Sequence, residues 1–216
     1  MKSLARSASL TAFLLIISKI LGFLREILLA DRFGTTYIAD AYTIASSLPT
    51  VLFALFASGF TNSFIPAYVR TPHDKRSQFF SNTCSILFSI SLLVTGLCVI
   101  FRQNVVDLLA PGFSYESAEL TTQFISVIAF YLPFFVVFNI LTAYLQTQED
   151  FIPGSFCDFI LVNLVLIVSI GISSPQAPMG LAYGYVISMA LALSVLWLYA
   201  RRRYGLRWQP VFDLRD

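Results

Sequence analysis

Four stretches of this chain, 41–69, 79–101, 120–146 and 177–200, run without a single charged side chain. Each is at least as long as the roughly 20 apolar residues that cross about 30 Å of hydrocarbon. Lipid offers the backbone no water, so a segment of this kind must satisfy its own amides and carbonyls as a helix. A fifth stretch, 152–172, carries only Asp158, and a first, about 7–30, carries Lys19, Arg25 and Glu26. The expectation is an all-α integral membrane protein with about six transmembrane helices, over 7–30, 38–69, 79–101, 119–147, 152–172 and 177–200. They form a single transmembrane domain over 1–216. Composition agrees: 57% of the residues are hydrophobic, 12% charged, and mean hydropathy is +0.76. A soluble domain has about 45–50% apolar and about 25% charged residues.

The joints are short and rich in helix-end chemistry: Phe33-Gly34-Thr35-Thr36, Pro72 to Arg76, and Pro153 where a helix start tolerates proline. Val105, Val106, Leu108 and Leu109 make a short apolar face before Pro111-Gly112, which reads as an interfacial turn of helix. Pro49, Gly59 and Pro66 interrupt the second stretch and predict a kinked helix beside a cavity or against a neighbour. Lys2 and Arg6 ahead of an apolar run could open a secretory signal, but the pattern continues past Lys19 to Ala30 without a small-residue cleavage site, so a retained first helix is expected.

Lysine and arginine in the joints set the orientation. With a cytoplasmic N-terminus, Lys2, Arg6, Arg70, Lys75, Arg76, Arg201, Arg202, Arg203, Arg207 and Arg215 lie inside, while only Arg32 and Arg102 lie outside. Six spans then return the C-terminus to the cytoplasm. A net charge of +2, with no basic patch interleaved with aromatics, excludes nucleic acid as a partner. Cys84, Cys98 and Cys157 have no ligand spacing and read as small buried hydrophobes. The one histidine, His73, sits in a polar joint, and no nucleophile, metal or phosphate-loop motif is present. Neither an enzyme nor a cofactor is expected.

Charges inside a span are what remain to be explained. Each costs about 2.5–3.5 kcal/mol at mid-membrane, so they face protein or a watery cavity. At about 100° per residue, Lys19 and Glu26 project within about 20° of each other, and Arg25 lies about 120° round from Lys19. Gly22 thins the helix beside that edge. Arg25 and Glu26 could instead mark the interfacial end, near Asp31 and Arg32. Asp40 opens the second helix, where the dipole already favours a carboxylate; pairing with Lys19 or Arg25 is the alternative. Asp158 is either an interfacial carboxylate or a proton or cation site. Asn139, Asn163 and the many serines and threonines read as helix-to-helix glue.

Lys19-Ile20-Leu21-Gly22-Phe23-Leu24-Arg25-Glu26, then Phe33-Gly34, Ala39-Asp40-Ala41-Tyr42, Leu48-Pro49 and Phe64-Ile65-Pro66 resemble the N-terminal signature of the bacterial lipid II flippase family (MurJ/MviN), within the MOP exporter superfamily. Ala110-Pro111-Gly112-Phe113 and Val211-Phe212-Asp213-Leu214-Arg215-Asp216 continue the likeness in order. It covers the whole chain but about the first half of a family member, which has fourteen helices in two lobes. The resemblance implies one lobe of a MOP-type transporter in the bacterial inner membrane. It implies passage of a lipid-linked peptidoglycan precursor to the outer leaflet around a cationic cavity. Lys19, Arg25, Glu26 and Asp40 fall at the family's charged positions and are the expected substrate-binding residues. Where the family has further charges in its second helix, this chain has Phe53, Ala54 and Ser58. Membrane lipids and a lipid-linked oligosaccharide are the expected partners, with a second chain for the missing C-terminal lobe if the gene is split or truncated. An exporter of another undecaprenyl-linked glycan and a non-transporting scaffold are the alternatives.

Overall fold

The computed structural model describes residues 2–206 and 208, with the side chains of 2–8 and 55–62 left aside. The side chains of Lys2, Arg6 and Ser58, and residues Arg207 and 211–216, therefore lie outside the described residues. The chain folds as α1 (Lys2–Phe33), α2 (Tyr37–Arg70), α3 (Arg76–Ile100), α4 (Arg102–Leu109), α5 (Tyr115–Ile128), α6 (Tyr131–Thr147), α7 (Ile152–Phe156), a π-helical turn (Cys157–Leu161), α8 (Val162–Ile172) and α9 (Met179–Tyr204). Among the described residues, three helical segments are long and apolar enough to cross a membrane: α3, the rod Ile152–Ile172, and α9. The bent pair α5–α6 makes a fourth if it counts as one crossing. With 32 and 34 residues, α1 and α2 are about 48 and 51 Å long at about 1.5 Å per residue, enough to span. α1 carries seven charged residues, three of them, Lys19, Arg25 and Glu26, within the expected span 7–30.

One long helix over 119–147 is not what forms. The chain starts earlier, at Tyr115, where Ser114 caps the helix by accepting from the Ser117 amide at 3.3 Å. It then bends by 42° between Ile128 and Tyr131. Pro133 explains the bend, because its ring clashes with the carbonyl four residues back, at Ala129, and offers that carbonyl no N–H. The Ala129 oxygen is satisfied elsewhere: the Thr95 hydroxyl of α3 donates to it at 3.1 Å, and the Leu132 amide at 3.1 Å. The fifth rod departs from ideality through the π-helical turn, and the Asn163 side-chain amide donates to the Phe159 carbonyl inside it at 2.8 Å. The apolar residues after Ile100 form α4, with Val106 buried and Leu108 exposed.

α2 passes through Pro49 and Pro66 as one helix. Beside the Ala45 carbonyl, which Pro49 cannot bond, the Tyr185 hydroxyl donates to the Ser46 carbonyl at 3.0 Å. Between α8 and α9 the seam is built from small residues. Gly180 and Gly184 face Ser173 and Ser169, and the Ser169 hydroxyl donates to the Gly180 carbonyl at 2.9 Å. Such seams let backbones approach closely where lipid supplies no hydrophobic driving force. Gly205, at φ 66°, ends α9 in the left-handed conformation that glycine adopts freely. Beyond it, Trp208 turns back onto the lobe, its indole N–H donating to Ser85 at 3.2 Å between the rings of Phe88 and Trp197.

Two buried clusters hold the helices together. One gathers Leu29, Phe33, Ile38, Ala41, Phe124, Ile125 and Leu181 around the α1–α2 joint. The other gathers Phe64, Tyr68, Phe80, Leu141, Tyr144 and Leu196 around the α2–α3 joint. Cys84, Cys98 and Cys157 are buried free thiols.

Candidate functional site

Packing divides the charged residues of α1 between two faces. α1 lies along α7, the π-helical turn and α8, and touches α2 sparingly. Its packed stripe runs through Ser18, Leu21, Gly22, Arg25, Leu28 and Leu29, while Phe13, Ile16, Ile20, Phe23 and Ile27 are exposed. Arg25 therefore turns toward the lobe, with its side chain 30% exposed, and Glu26 outward at 58%. The two make an ion pair at 2.8 Å between Nη2 and Oε1. Lys19 stands on the exposed side, seven residues from Glu26 and on its edge of the helix, and has no hydrogen bond or ion pair among the described residues.

Arg25 faces a cluster of phenols. Tyr42, Tyr131 and Tyr185 all lie within its electrostatic reach. Tyr185 packs edge-on to Tyr42 at 6.3 Å and tilted on Tyr131 at 4.6 Å. Three hydroxyls and a guanidinium thus share one region where α1, α2, α6 and α9 converge. Thr50, on the exposed face of α2, also lies near the Tyr185 hydroxyl, which joins this region to that face.

Asp40 is exposed in the first turn of α2, with no ion-pair partner among the described residues, so the expected alternative of a bond to Lys19 or Arg25 does not form. The helix begins at Thr36, whose side chain makes no cap bond; Asp40 acts there through the dipole. The residues that follow were not singled out by sequence reasoning. Thr43, Ser47 and Thr50 continue from Asp40 at steps of three, four and three, and all four are exposed. That spacing makes one polar stripe along α2, and read with the helical period it was visible as a set of hydroxyls on one face. Phe53, which stands where the resemblance has charge, packs tilted against Phe135 at 4.6 Å between ring centroids. Ala54 is exposed beside it.

Two hollows lie at the helix ends. One, of about 350 Å³, is lined by Tyr68, His73, Arg76, Tyr144 and Tyr204. Another, of about 290 Å³, lies between α4 and α5 and is lined by Arg102, Gln103, Glu119 and Thr122. Lys19, Arg25, Glu26 and Asp40 line neither.

Comparison with known proteins places this arrangement. Residues 29–216 match the family described as "Lipid II flippase MurJ". The chain is 32% identical over 171 residues to the probable lipid II flippase MurJ of Buchnera aphidicola subsp. Baizongia pistaciae, covering 76% of this chain and 33% of that protein. It is 31% identical over 199 residues to the probable MurJ of Rickettsia prowazekii, covering 89% and 37%. Its fold is similar to a solved structure titled "Lipid II flippase MurJ, inward closed conformation", with a TM-score of 0.78 at 22% identity over 94% of this chain and 43% of that one. The chain thus spans about a third of the length of the curated relatives it matches. With the family match extending over most of its residues, the chain belongs to the MurJ lipid II flippase family, multi-pass membrane proteins that act as transporters rather than enzymes.

Proposed function

We propose that this chain supplies the N-terminal lobe of a flippase that moves a lipid-linked peptidoglycan precursor, lipid II, from the cytoplasmic to the outer leaflet of the bacterial inner membrane. The observation that carries this reading is the presence on one helix of an inward Arg25, beside the Tyr42, Tyr131 and Tyr185 phenols, and an exposed, unpaired, mid-span Lys19. A polyprenyl pyrophosphate-sugar can leave its tail in the bilayer, but its charged head cannot follow without buried cations to replace water around the phosphates. Lys19 and Arg25 offer those cations. Glu26 holds Arg25 in place through their ion pair, and Asp40 with the hydroxyls keeps the opposite wall wet. Tyr42 and Tyr131 give the head hydroxyl donors beside the guanidinium, while the Tyr185 hydroxyl is committed to the Ser46 carbonyl.

Alternating access requires a second lobe rocking against the first. On this reading the second lobe completes the cavity and supplies the charge that Phe53 and Ala54 do not, and both termini of this lobe are cytoplasmic. Lys19→Ala and Arg25→Ala, made with the second lobe present, are expected to abolish flipping of labelled lipid II in vesicles while membrane insertion persists. Full activity in Lys19→Ala would favour a scaffold over a transporter. Robust flipping by residues 1–216 alone would contradict the two-lobe requirement.

A further inference from the structure

We propose that Asp158, with the hydroxyls of Thr142 and Thr11, forms a binding site for a small monovalent cation, an alkali ion or a proton, at the π-helical turn of the fifth rod. This site adjoins the Arg25 cluster, with Tyr131 between the two, but uses neither Lys19 nor Arg25 as a ligand.

Asp158 is a half-buried carboxylate inside a membrane-crossing rod, and among the described residues it has no hydrogen bond or ion pair. It sits in a π-helical turn, an irregularity that recurs at functional sites because it re-aims side chains and loosens the local carbonyl ladder. The second observation comes from two other helices. Thr142 of α6 and Thr11 of α1 have buried hydroxyl oxygens without any partner among the described residues, a state that costs free energy unless something satisfies it.

Both hydroxyls belong to this neighbourhood. The Thr142 oxygen stands 3.1 Å from where a Cβ on Gly154 would be, and Gly154 lies one turn before Asp158 on the same face of the rod. For Thr11 the register follows from α1 and the fifth rod, which run in the same direction as the first and fifth crossings. The Asn163 side chain donates to Ser18 at 3.3 Å. Seven residues back along α1, and one more along the rod for the extra residue of the π-helical turn, Thr11 comes level with Ser155, between Gly154 and Asp158.

Among the described residues no cation forms an ion pair with this carboxylate. Neither Lys19 nor Arg25 forms an ion pair with Asp158, and the titratable groups on which it acts are the Tyr131 phenol of α6 and the adjacent Cys157 thiol. From α8 the nearest polar group is the neutral Asn163, and the α9 face turned to this region presents Met189, Ala192 and Leu196. One carboxylate and two hydroxyls are a hard, singly charged oxygen set, which suits a monovalent ion or a proton and not a soft transition metal. Among the described residues no cluster of His, Cys, Asp and Glu of metal-binding size exists.

Thermal unfolding of the purified protein in detergent tests this, followed by tryptophan fluorescence. One arm titrates NaCl against choline chloride at constant ionic strength; the other varies pH in choline alone. The site predicts a saturable rise in Tm with sodium, or a rise on acidification without it. The first result assigns an alkali ion and the second a proton. Asp158→Asn is expected to abolish the response, and Thr142→Val to raise the midpoint cation concentration about tenfold. Should Asp158→Asn not fold, Thr142→Val and Thr11→Val carry the test. A wild-type Tm indifferent to both sodium and pH, or an undiminished response in these variants, overturns the proposal. No lipid-linked substrate is present, so the outcome is independent of the flippase reading.

Discussion

Gly184→Ala should weaken the lobe at the seam between α8 and α9. A Cβ on Gly184 would overlap the Oγ and Cβ of Ser169 and stand 3.6 Å from its Cα. Ser169 cannot swing aside: it is 6% exposed and its hydroxyl is committed to the Gly180 carbonyl at 2.9 Å. Overpacking of this kind costs about 1–3 kcal/mol, and loss of the interhelical bond adds about 0.6 kcal/mol. The better helix propensity of alanine returns about 0.8–1 kcal/mol. The net loss of about 1–3 kcal/mol corresponds to a fall in Tm of about 3–10 °C for a chain of this size. Trp197 and Trp208 report the transition in detergent. Ser169→Gly opens the space the new methyl needs, so the double variant should recover more than the two single effects predict by addition. A Gly184→Ala protein that melts within about 1 °C of the wild type, or strict additivity in the double variant, would refute close approach at this seam.

Thr95→Val removes the donor to the Ala129 carbonyl exposed by the Pro133 bend, and should lower stability by about 0.6–1 kcal/mol, read as a Tm shift. Asp150 accepts from the hydroxyls of Tyr199 at 2.7 Å and Tyr204 at 2.9 Å through one oxygen. Asp150→Asn weakens both bonds and should cost about 1 kcal/mol, with Tyr199→Phe adding little in the Asn background. Glu26→Gln releases Arg25 from its ion pair and should impair transport less than Arg25→Ala does, as a flipping assay on the two-lobed protein would show.

Several features of the fold were legible in the residues, and the limits have physical causes. Uninterrupted runs without charge can be satisfied in lipid only as helices, so the long rods followed directly. Pro133 carried the information for the bend at Ala129, but a proline near a helix start and one that breaks a long helix look alike without knowing where the helix begins. The π-helical turn left no mark, since its extra residue is absorbed by packing against α1 and by Asn163 rather than by any special residue type.

Within the site, helical spacing separated Arg25 from the Lys19–Glu26 edge correctly, yet which of the two faced inward depended on where α8 packs. Asp40 was singled out, but Thr43, Ser47 and Thr50, which continue its stripe, passed for ordinary helix glue, because hydroxyls that bond their own helix, as Thr43 and Ser47 do, are tolerated in lipid too. The phenols of Tyr42, Tyr131 and Tyr185 come from three helices far apart in the chain. No local reading could have gathered them.

Whether the α2 stripe and Lys19 border water or acyl chains is settled most directly by cysteine accessibility in intact membranes of cells carrying the two-lobed protein. The three native thiols in this lobe are buried, which keeps its background low. Thr43→Cys, Ser47→Cys, Thr50→Cys and Lys19→Cys should react with a membrane-impermeant thiol reagent offered from one side or the other. Leu93→Cys and Val168→Cys, equally exposed on the lobe but set in apolar faces, should not. Stripe cysteines as inert as Leu93→Cys would mean that no hydrated hollow adjoins these residues, and the cationic cavity would have no place in this lobe.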